Sequence, residues 1–319
     1  MYIDTKLRGL KLGGFFSYEW TPFPPLKLTP GLRIDYFDYN KDLNLSPRFS
    51  ASLLVNDKLS LSGSVGIYNQ YLPSYFLVQN ENFKNVHMPT TYHYVLGLNY
   101  LLSEDIKFSI EYYFKDYRDL LFDANLPGLY LLDEPINNLF MGDHTNLVNG
   151  SHGNSNGIEI MIQKKMSDNF YGLASLSLFS CKYLDLDGIQ RSRITDNRVL
   201  VALEGGYKLN EEWEFSMRWS YAGGVPYTPY DEVKSSLLGN AVFDIESINT
   251  QRLPHYLTLS IRADKRFHFS NSNLILYLSI WNVFDRKNIS FHGWSEYYNT
   301  SVNYNLISII PVLGVEFEF

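Results

Sequence analysis

The histidines, carboxylates and hydroxyl residues of this sequence do not fall into a spacing that supports catalysis. None of the seven histidines has metalloprotease spacing, and the sequence has neither a Gly-x-Ser-x-Gly turn nor a phosphate-binding loop. The single cysteine, Cys181, excludes an intramolecular disulfide framework and a multi-cysteine metal site. We therefore expect neither an enzyme nor a cofactor. A surface protease or lipase, with Ser or Asp and His on facing strands, stays open as an alternative.

One short segment shares some features with a calcium loop. Residues 183–188 read YLDLDG, in which two alternate aspartates precede a glycine. The downstream glutamate that would bind the ion through both oxygens is absent. An ordinary Asp-Gly turn is therefore the favoured interpretation.

Aromatic residues in the long polar segments are the best candidates for contact with a small molecule. Their rings can stack on a siderophore or a sugar, whereas rings near strand ends are also typical of aromatic girdles at membrane interfaces. Arg218 and Arg262 occupy polar positions of alternating segments, where they would guide an anionic ligand or belong to a solvated wall. The aromatic candidates are Tyr71, Tyr75, Phe76, Tyr130, Tyr227, Tyr230, Trp294, Tyr297 and Tyr298.

The segments that must position these residues show strict alternation of apolar and polar side chains. In residues 213–221 (WEFSMRWSY) every odd position is large and apolar, and every even position is polar. Successive side chains of a strand point to opposite faces, so such a segment separates two different solvents. The pattern predicts about thirteen strands, near residues 8–20, 25–38, 46–56, 59–70, 90–103, 106–121, 156–166, 169–183, 197–209, 212–224, 254–267, 272–285 and 305–319.

The connections between these predicted strands alternate in length. Short ones consist of turn-forming residues, as at 56–58, 103–105, 167–169 and 210–212, and long polar ones span 71–89, 122–155, 184–196, 225–253 and 286–304. About ten tilted residues cross the apolar layer of an outer membrane, where barrels have short periplasmic turns and long extracellular loops. We therefore expect an all-β fold, a transmembrane antiparallel up-and-down β-barrel. A water-soluble propeller or double sheet is the alternative.

Composition restricts the class of protein further. The chain is 45% hydrophobic and 16% aromatic, and its apolar runs are too short and too interrupted for a transmembrane helix. The net charge of −7, with singly scattered lysines and arginines, argues against a nucleic-acid partner. The first residues (MYIDTK) show no signal peptide, so we expect that one was removed or that the chain begins within a larger protein.

Several segments resemble, in order, those of the barrel of TonB-dependent outer-membrane receptors. They are PGLRIDYF (30–37), SPRF (46–49), GGVPYTPY (223–230), RLPHY (252–256) and NVFDRKN (282–288). The final PVLGVEFEF (311–319) is similar to the closing strand of that family, which ends in phenylalanine. Each motif is weak by itself, but the set in this order is specific for the family.

The resemblance implies a barrel of about 22 strands that follows a plug domain in the sequence. Residues 1–319 would then be its carboxy-terminal portion, partial with about 13 strands, and would lack the plug domain and the signal peptide. It also implies a receptor in the bacterial outer membrane that imports a scarce nutrient, such as a ferric siderophore, a vitamin or an oligosaccharide, with energy from TonB. A passive porin-like or structural outer-membrane barrel is the alternative.

The resemblance further implies the partners of the chain. They are outer-membrane lipid, TonB acting through the plug, the small-molecule or glycan ligand, and the barrel-assembly machinery. The assembly machinery would recognise the last strand through its terminal aromatic residues, Phe317 and Phe319.

Overall fold

One long antiparallel sheet forms most of the molecule. The computed structural model describes residues 8–133 and 143–319, and within these residues thirteen strands pair side by side in chain order. This up-and-down order confirms the predicted fold class and the predicted number of strands. The strands are β1 (Lys11–Ser17), β2 (Leu26–Phe37), β3 (Asp42–Leu54), β4 (Leu59–Asn69), β5 (Thr90–Leu101), β6 (Ile106–Asp123), β7 (Leu147–Ser167), β8 (Phe170–Leu184), β9 (Val199–Lys208), β10 (Trp213–Ala222), β11 (Tyr256–His268), β12 (Asn273–Trp281) and β13 (Ile310–Glu318).

Shorter elements lie in the connections. Among the described residues, no helix is both long and apolar enough to cross a membrane. The helices are α1 (Ser74–Leu77) and α2 (Glu232–Leu238), with 3-10 turns at Glu81–Asn85, Leu131–Asp133 and Ile245–Ser247. The additional strands are Trp20–Phe23, Gln190–Ser192, Pro226–Tyr227, Gln251–Arg252, Ile289–Ser295 and Thr300–Asn305.

The two faces of the sheet differ as the alternation predicts. Across β5 to β8, Leu96, Tyr112, Ile158 and Leu178 stand directly opposite one another in a continuous row, and all four are exposed. Glu111 and Glu159 form the neighbouring row on the other face. The sheet therefore has one apolar face and one polar face, and a shift of one residue in any strand would exchange them.

The connections are sorted by side. The pairs β3–β4, β5–β6, β7–β8, β9–β10 and β11–β12 are joined by short turns. The long loops lie at the opposite ends of the strands; their described residues are 70–89, 124–133, 143–146, 185–198, 223–255 and 282–309. In two of the turns an Asn side chain accepts backbone N–H groups, Asn56 from Lys58 and Asn210 from Glu212. Residues 38–41, between β2 and β3, are the short connection on the long-loop side.

Strand β7 begins earlier than predicted. The sequence indicates a start near residue 156, but the strand begins at Leu147, because Leu147–Gly150 pair with Leu120–Asp123 of β6. The stretch LVNGSHGNS is too rich in Gly, Asn and Ser to be recognised as a strand by itself. Burial of Leu121 and Phe122 at this extension explains why the pairing continues.

The predicted loop 286–304 contains a hairpin. Ile289–Ser295 pairs with Thr300–Asn305, and the rings of Phe291 and Tyr304 stack with centroids 4.6 Å apart. Strand β12 accordingly ends at Trp281 and not near 285. Aromatic packing across the hairpin stabilises strand pairing in a segment that the sequence indicates as loop.

Candidate ligand site in the loop layer

The buried core of the protein lies among the long loops. Phe76 and Leu77 come from the loop between β4 and β5, Leu131 from the loop after β6, and Ile248 from the loop after β10. They pack together in one cluster, which also contains Leu121 of β6. The loops therefore form a packed layer that rests on the ends of the strands, which we call the loop layer.

Arginines paired with buried aspartates join the loops to one another, two through the ion pair itself and Arg191 by also donating to the backbone carbonyls of Glu246 and Ile248. In each pair the carboxylate is at most 3% exposed, and the nearest N···O distances are 2.5–2.7 Å. Paired charges in such an environment are strongly coupled, because loss of one partner leaves the other buried without compensation. The pairs are Asp133–Arg193, Asp185–Arg191 and Asp196–Arg252.

The segment that shares features with a calcium loop is a turn closed by one of these pairs. Asp185 accepts the backbone N–H groups of Asp187 and Ile189 at 3.0 and 2.8 Å, and Gly188 has a positive φ of 80°. The second carboxylate oxygen of Asp185 accepts a hydrogen bond from the guanidinium of Arg191. The carboxylate is thus fully occupied by the protein, and among the described residues no group of His, Cys, Asp and Glu is arranged to hold a metal ion.

A cavity of about 730 Å³ opens in the loop layer, between the loop after β10 and the 289–305 hairpin. Three of the predicted ligand residues, Tyr227, Tyr230 and Trp294, line it together. Tyr227 lies against the ring of His292, with centroids 4.6 Å apart, and Tyr230 meets Trp294 edge to face at 5.9 Å. The sequence therefore identified aromatic residues that the fold brings to one place from positions 67 residues apart.

The indole N–H of Trp294 is a donor that the described part of the protein leaves without an acceptor. Its Nε1 atom is buried and has no hydrogen-bond partner among the described residues. A buried donor without a partner is costly, by about 1–3 kcal/mol, and an acceptor atom of a bound molecule would remove that cost. The cavity thus combines stacking surfaces with an unused donor.

Tyr227 and Tyr230 remain neutral at physiological pH. Burial raises the pKa of Tyr227, and burial together with the nearby Tyr304 raises the pKa of Tyr230. The hydroxyl of Tyr230 donates to the backbone carbonyl of His292 at 3.3 Å. Asn240, Asn249 and Glu296 are among the other polar residues that line the cavity.

Other predicted aromatic residues lie elsewhere in the loop layer. Phe76 and Tyr130 are 1% and 4% exposed and pack inside it, so their rings are not open to a ligand in this arrangement. Tyr75 packs on Phe76 with centroids 4.0 Å apart. Tyr71 is half-buried, with its hydroxyl 3.5 Å from Asp35.

Arg218 and Arg262 line a second cavity, of about 760 Å³, on the polar face of β10 and β11. Arg218 pairs with Glu204 on the next strand at 2.9 Å. Arg262 donates to Asp264 at 2.9 Å and lies 3.8 Å from the ring centroid of Tyr277. Each guanidinium therefore already has a carboxylate partner, as in a solvated wall of mixed charge.

The terminal aromatic residues lie at the free edge of the sheet. Phe317 stands opposite Leu274 of β12 on the apolar face, and Phe319 follows the strand and is almost fully exposed. The two ring centroids are 5.5 Å apart.

Several residues of the cavity were not identified from the sequence. Phe243 packs on Tyr230 with centroids 4.6 Å apart, and His292 and Tyr304 belong to the hairpin. Alternation in ISFHGWS (289–295) was the available signal for the hairpin residues. Phe243 had no comparable signal, because it is placed by pairing of its loop with residues 229–231.

Comparison with known proteins gives one family. The sequence model of the protein family described as "TonB dependent receptor-like, beta-barrel" matches residues 2–283. No curated protein sequence matches the chain.

Solved structures share the fold at low sequence identity. The outer membrane transporter YddB from Escherichia coli is 12% identical, with a TM-score of 0.68, and the match covers 97% of this chain and 45% of that one. The Escherichia coli ferric-catecholate import receptor Fiu is 8% identical, with a TM-score of 0.69, and the match covers 97% of this chain and 44% of that one. The ferripyoverdine receptor of Pseudomonas aeruginosa is 14% identical, with a TM-score of 0.66, and the match covers 97% of this chain and 38% of that one. The chain spans less than half the length of each of these proteins.

Proposed function

The chain belongs to the TonB-dependent receptor β-barrel family, and we propose that it is the carboxy-terminal portion of the barrel of a receptor in the bacterial outer membrane. The receptor binds a scarce nutrient, such as a ferric siderophore, a vitamin or an oligosaccharide, and imports it with energy supplied by TonB through a plug domain. Lipid surrounds the apolar face, and the polar face encloses the plug and the passage.

The cavity around Tyr227, Tyr230 and Trp294 is the observation that carries the binding part of this proposal. It lies at the long-loop ends of the strands, which is the extracellular side in barrels of this kind. Its aromatic rings and its unused indole donor suit a ligand that stacks and also accepts a hydrogen bond. Two of the similar structures support a nutrient cargo, since one is a receptor bound to ferripyoverdine and the other an import receptor for a ferric catecholate.

A nutrient-limited uptake assay tests the proposal. A strain that lacks the gene for the complete protein is supplied in turn with single sources of chelated iron, cobalamin or glycan, and uptake of the labelled compound is measured. We expect a defect on one source, which the wild-type gene restores.

The energy requirement separates active import from the passive porin-like alternative. Uptake through a receptor stops when TonB is removed or the proton gradient is collapsed, whereas a passive pore continues to conduct its solute. Uptake that persists without TonB, or the absence of a defect on every source, would contradict the proposed function.

A further inference from the structure

Helix α2, in the loop after β10, turns its apolar residues outward. Ser235 is fully buried, and its hydroxyl accepts the backbone N–H of Val242 at 2.9 Å. Val233 and Leu237 lie about 200° from Ser235 around the helix, and they are 70% and 80% exposed. A surface helix normally buries its apolar side, so this helix presents a contact surface to something outside the chain.

The tip of the 289–305 hairpin extends the same surface. Asn299 donates its amide to the hydroxyl of Ser236 on α2 at 2.6 Å, which holds the tip against the helix. Tyr297 and Tyr298 at this tip are 89% and 71% exposed. We call the resulting surface the outer patch; its residues are Val233, Leu237, Leu238, Ile245, Tyr297 and Tyr298.

The segments that form the outer patch carry more carboxylates than cations. Among the described residues of segments 228–247 and 293–299, the charged side chains are Asp231, Glu232, Asp244, Glu246, Glu296 and a single lysine, Lys234. Lys234 pairs with Asp231 at 2.8 Å. This pairing raises the pKa of Lys234, and so do the charges of Asp244 and Glu246, which therefore lie near it.

The backbone keeps these carboxylates in place. Asp231 donates its N–H to Val242, and Asp244 donates its N–H to Pro229, at 2.8 and 2.9 Å. Asp231 and Asp244 also cap the turns that follow them, with side chains that accept from Lys234 and Glu246. The negative charge is therefore fixed beside the apolar residues.

We propose that the outer patch binds a basic amphipathic polypeptide outside the cell. Its apolar side chains would cover Val233, Leu237 and the tyrosines, and its lysines or arginines would approach the carboxylates of the same segments. A second copy of this chain would bring like charges together, and an anionic lipid or glycolipid phosphate would be repelled by the same groups. The inference goes beyond nutrient import and does not depend on which ligand occupies the cavity.

Two synthetic helical peptides test the proposal. They have the same length and the same leucine positions, with lysine at every polar position in one and glutamate in the other. The complete protein is held in nanodiscs of zwitterionic lipid, and binding is followed by fluorescence anisotropy at low and at physiological salt. We expect the lysine peptide to bind one per protein, and the glutamate peptide not to bind.

Variants assign the binding to the outer patch. The combined change Val233→Ser, Leu237→Ser and Leu238→Ser should weaken binding of the lysine peptide at least tenfold, and Glu232→Lys with Glu246→Lys should do the same. Ile189→Ser is the control, because Ile189 is also an exposed apolar side chain, 52% exposed, on a different loop; it should leave binding unchanged.

Three results would overturn the inference. They are equal affinity of the wild type and the triple variant for the lysine peptide, equal binding of both peptides, and self-association of the protein that the triple change abolishes. Retained resistance of each variant to unfolding in sodium dodecyl sulfate at room temperature shows that the barrel itself is intact.

Discussion

At the scale of single residues, tyrosine rings on the polar face lie over glycines of the next strand. Gly314 stands opposite Tyr277, and Gly206 stands opposite Tyr171. A Cβ atom at either glycine would fall inside the facing ring. Tyr277 also carries the guanidinium of Arg262 on its face, so glycine, ring and cation form one stack that fixes the register of β12 and β13.

Filling that space should destabilise the barrel. Gly314→Ala forces the ring of Tyr277 aside and should cost about 1–3 kcal/mol, measured as a lower thermal midpoint of barrel unfolding. Gly14→Ala on β1 is the control, because nothing lies within 4 Å of the Cβ position there. Equal midpoints for the two variants would show that the ring is not held against the glycine.

The indole of Trp294 should contribute to ligand affinity through its N–H. Trp294→Phe keeps an aromatic ring but removes the donor, and we expect the half-saturating nutrient concentration for uptake to rise about tenfold, as for one lost hydrogen bond of about 1.4 kcal/mol. Trp281→Phe is the comparison, since Trp281 is exposed at the end of β12. An unchanged concentration for Trp294→Phe would remove this residue from the ligand site.

At the scale of elements, the loops act as one body because buried ion pairs join them. Arg191→Met would leave Asp185, which is fully buried, without its cation. We expect the loop layer to lose about 3–5 kcal/mol, seen as faster hydrogen exchange and faster proteolysis in residues 185–198 and 245–248 while the strands stay protected.

An exposed pair provides the contrast. Lys27 and Glu19 are 2.6 Å apart but about half exposed, and Glu19→Gln should change stability by less than about 1 kcal/mol. If Arg191→Met were as mild as Glu19→Gln, the buried pairs would not be what holds the loops together.

The strands could be predicted from the sequence, whereas the loop layer could not. Alternation such as that of residues 213–221 is a local property, so it located all thirteen strands, although β7 begins at Leu147 and not near residue 156. The pairing of Asp133 with Arg193 depends on a contact between two loops, and the meeting of Phe243 with Tyr230 depends on how one long loop folds back on itself. Phe76 and Tyr130 show the same limit, because an aromatic residue in a loop has no local feature that distinguishes a core position from a ligand site.

At the scale of the whole molecule, the proposed function requires the sheet to separate hydrocarbon from water. Nitroxide labels placed singly at Phe215, Ser216 and Met217, in a Cys181→Ser background, test this directly. We expect accessibility to oxygen at 215 and 217 and to a water-soluble nickel chelate at 216, because neighbouring residues face opposite solvents. Uniform accessibility along the strand would indicate a water-soluble sheet.

Assembly of the whole barrel should depend on its last residue. Deletion of Phe319 in the complete protein should lower the amount of heat-modifiable barrel in outer membranes, since the terminal aromatic is the proposed recognition element of the assembly machinery. Leu313→Ala is the control, because Leu313 of β13 is also a largely exposed apolar side chain. An undiminished barrel band after deletion would contradict this role.

The odd number of strands among the described residues, thirteen, restricts how this sheet can close into a cylinder. Because all neighbouring strands are antiparallel, the two edge strands β1 and β13 run in the same direction. If two copies of this sheet were inserted with the same polarity, β13 of each copy would therefore lie parallel to β1 of the other. An antiparallel wall needs an even total. Dimerisation of this kind therefore cannot give a fully antiparallel wall, whereas pairing of this sheet with an odd number of further strands would.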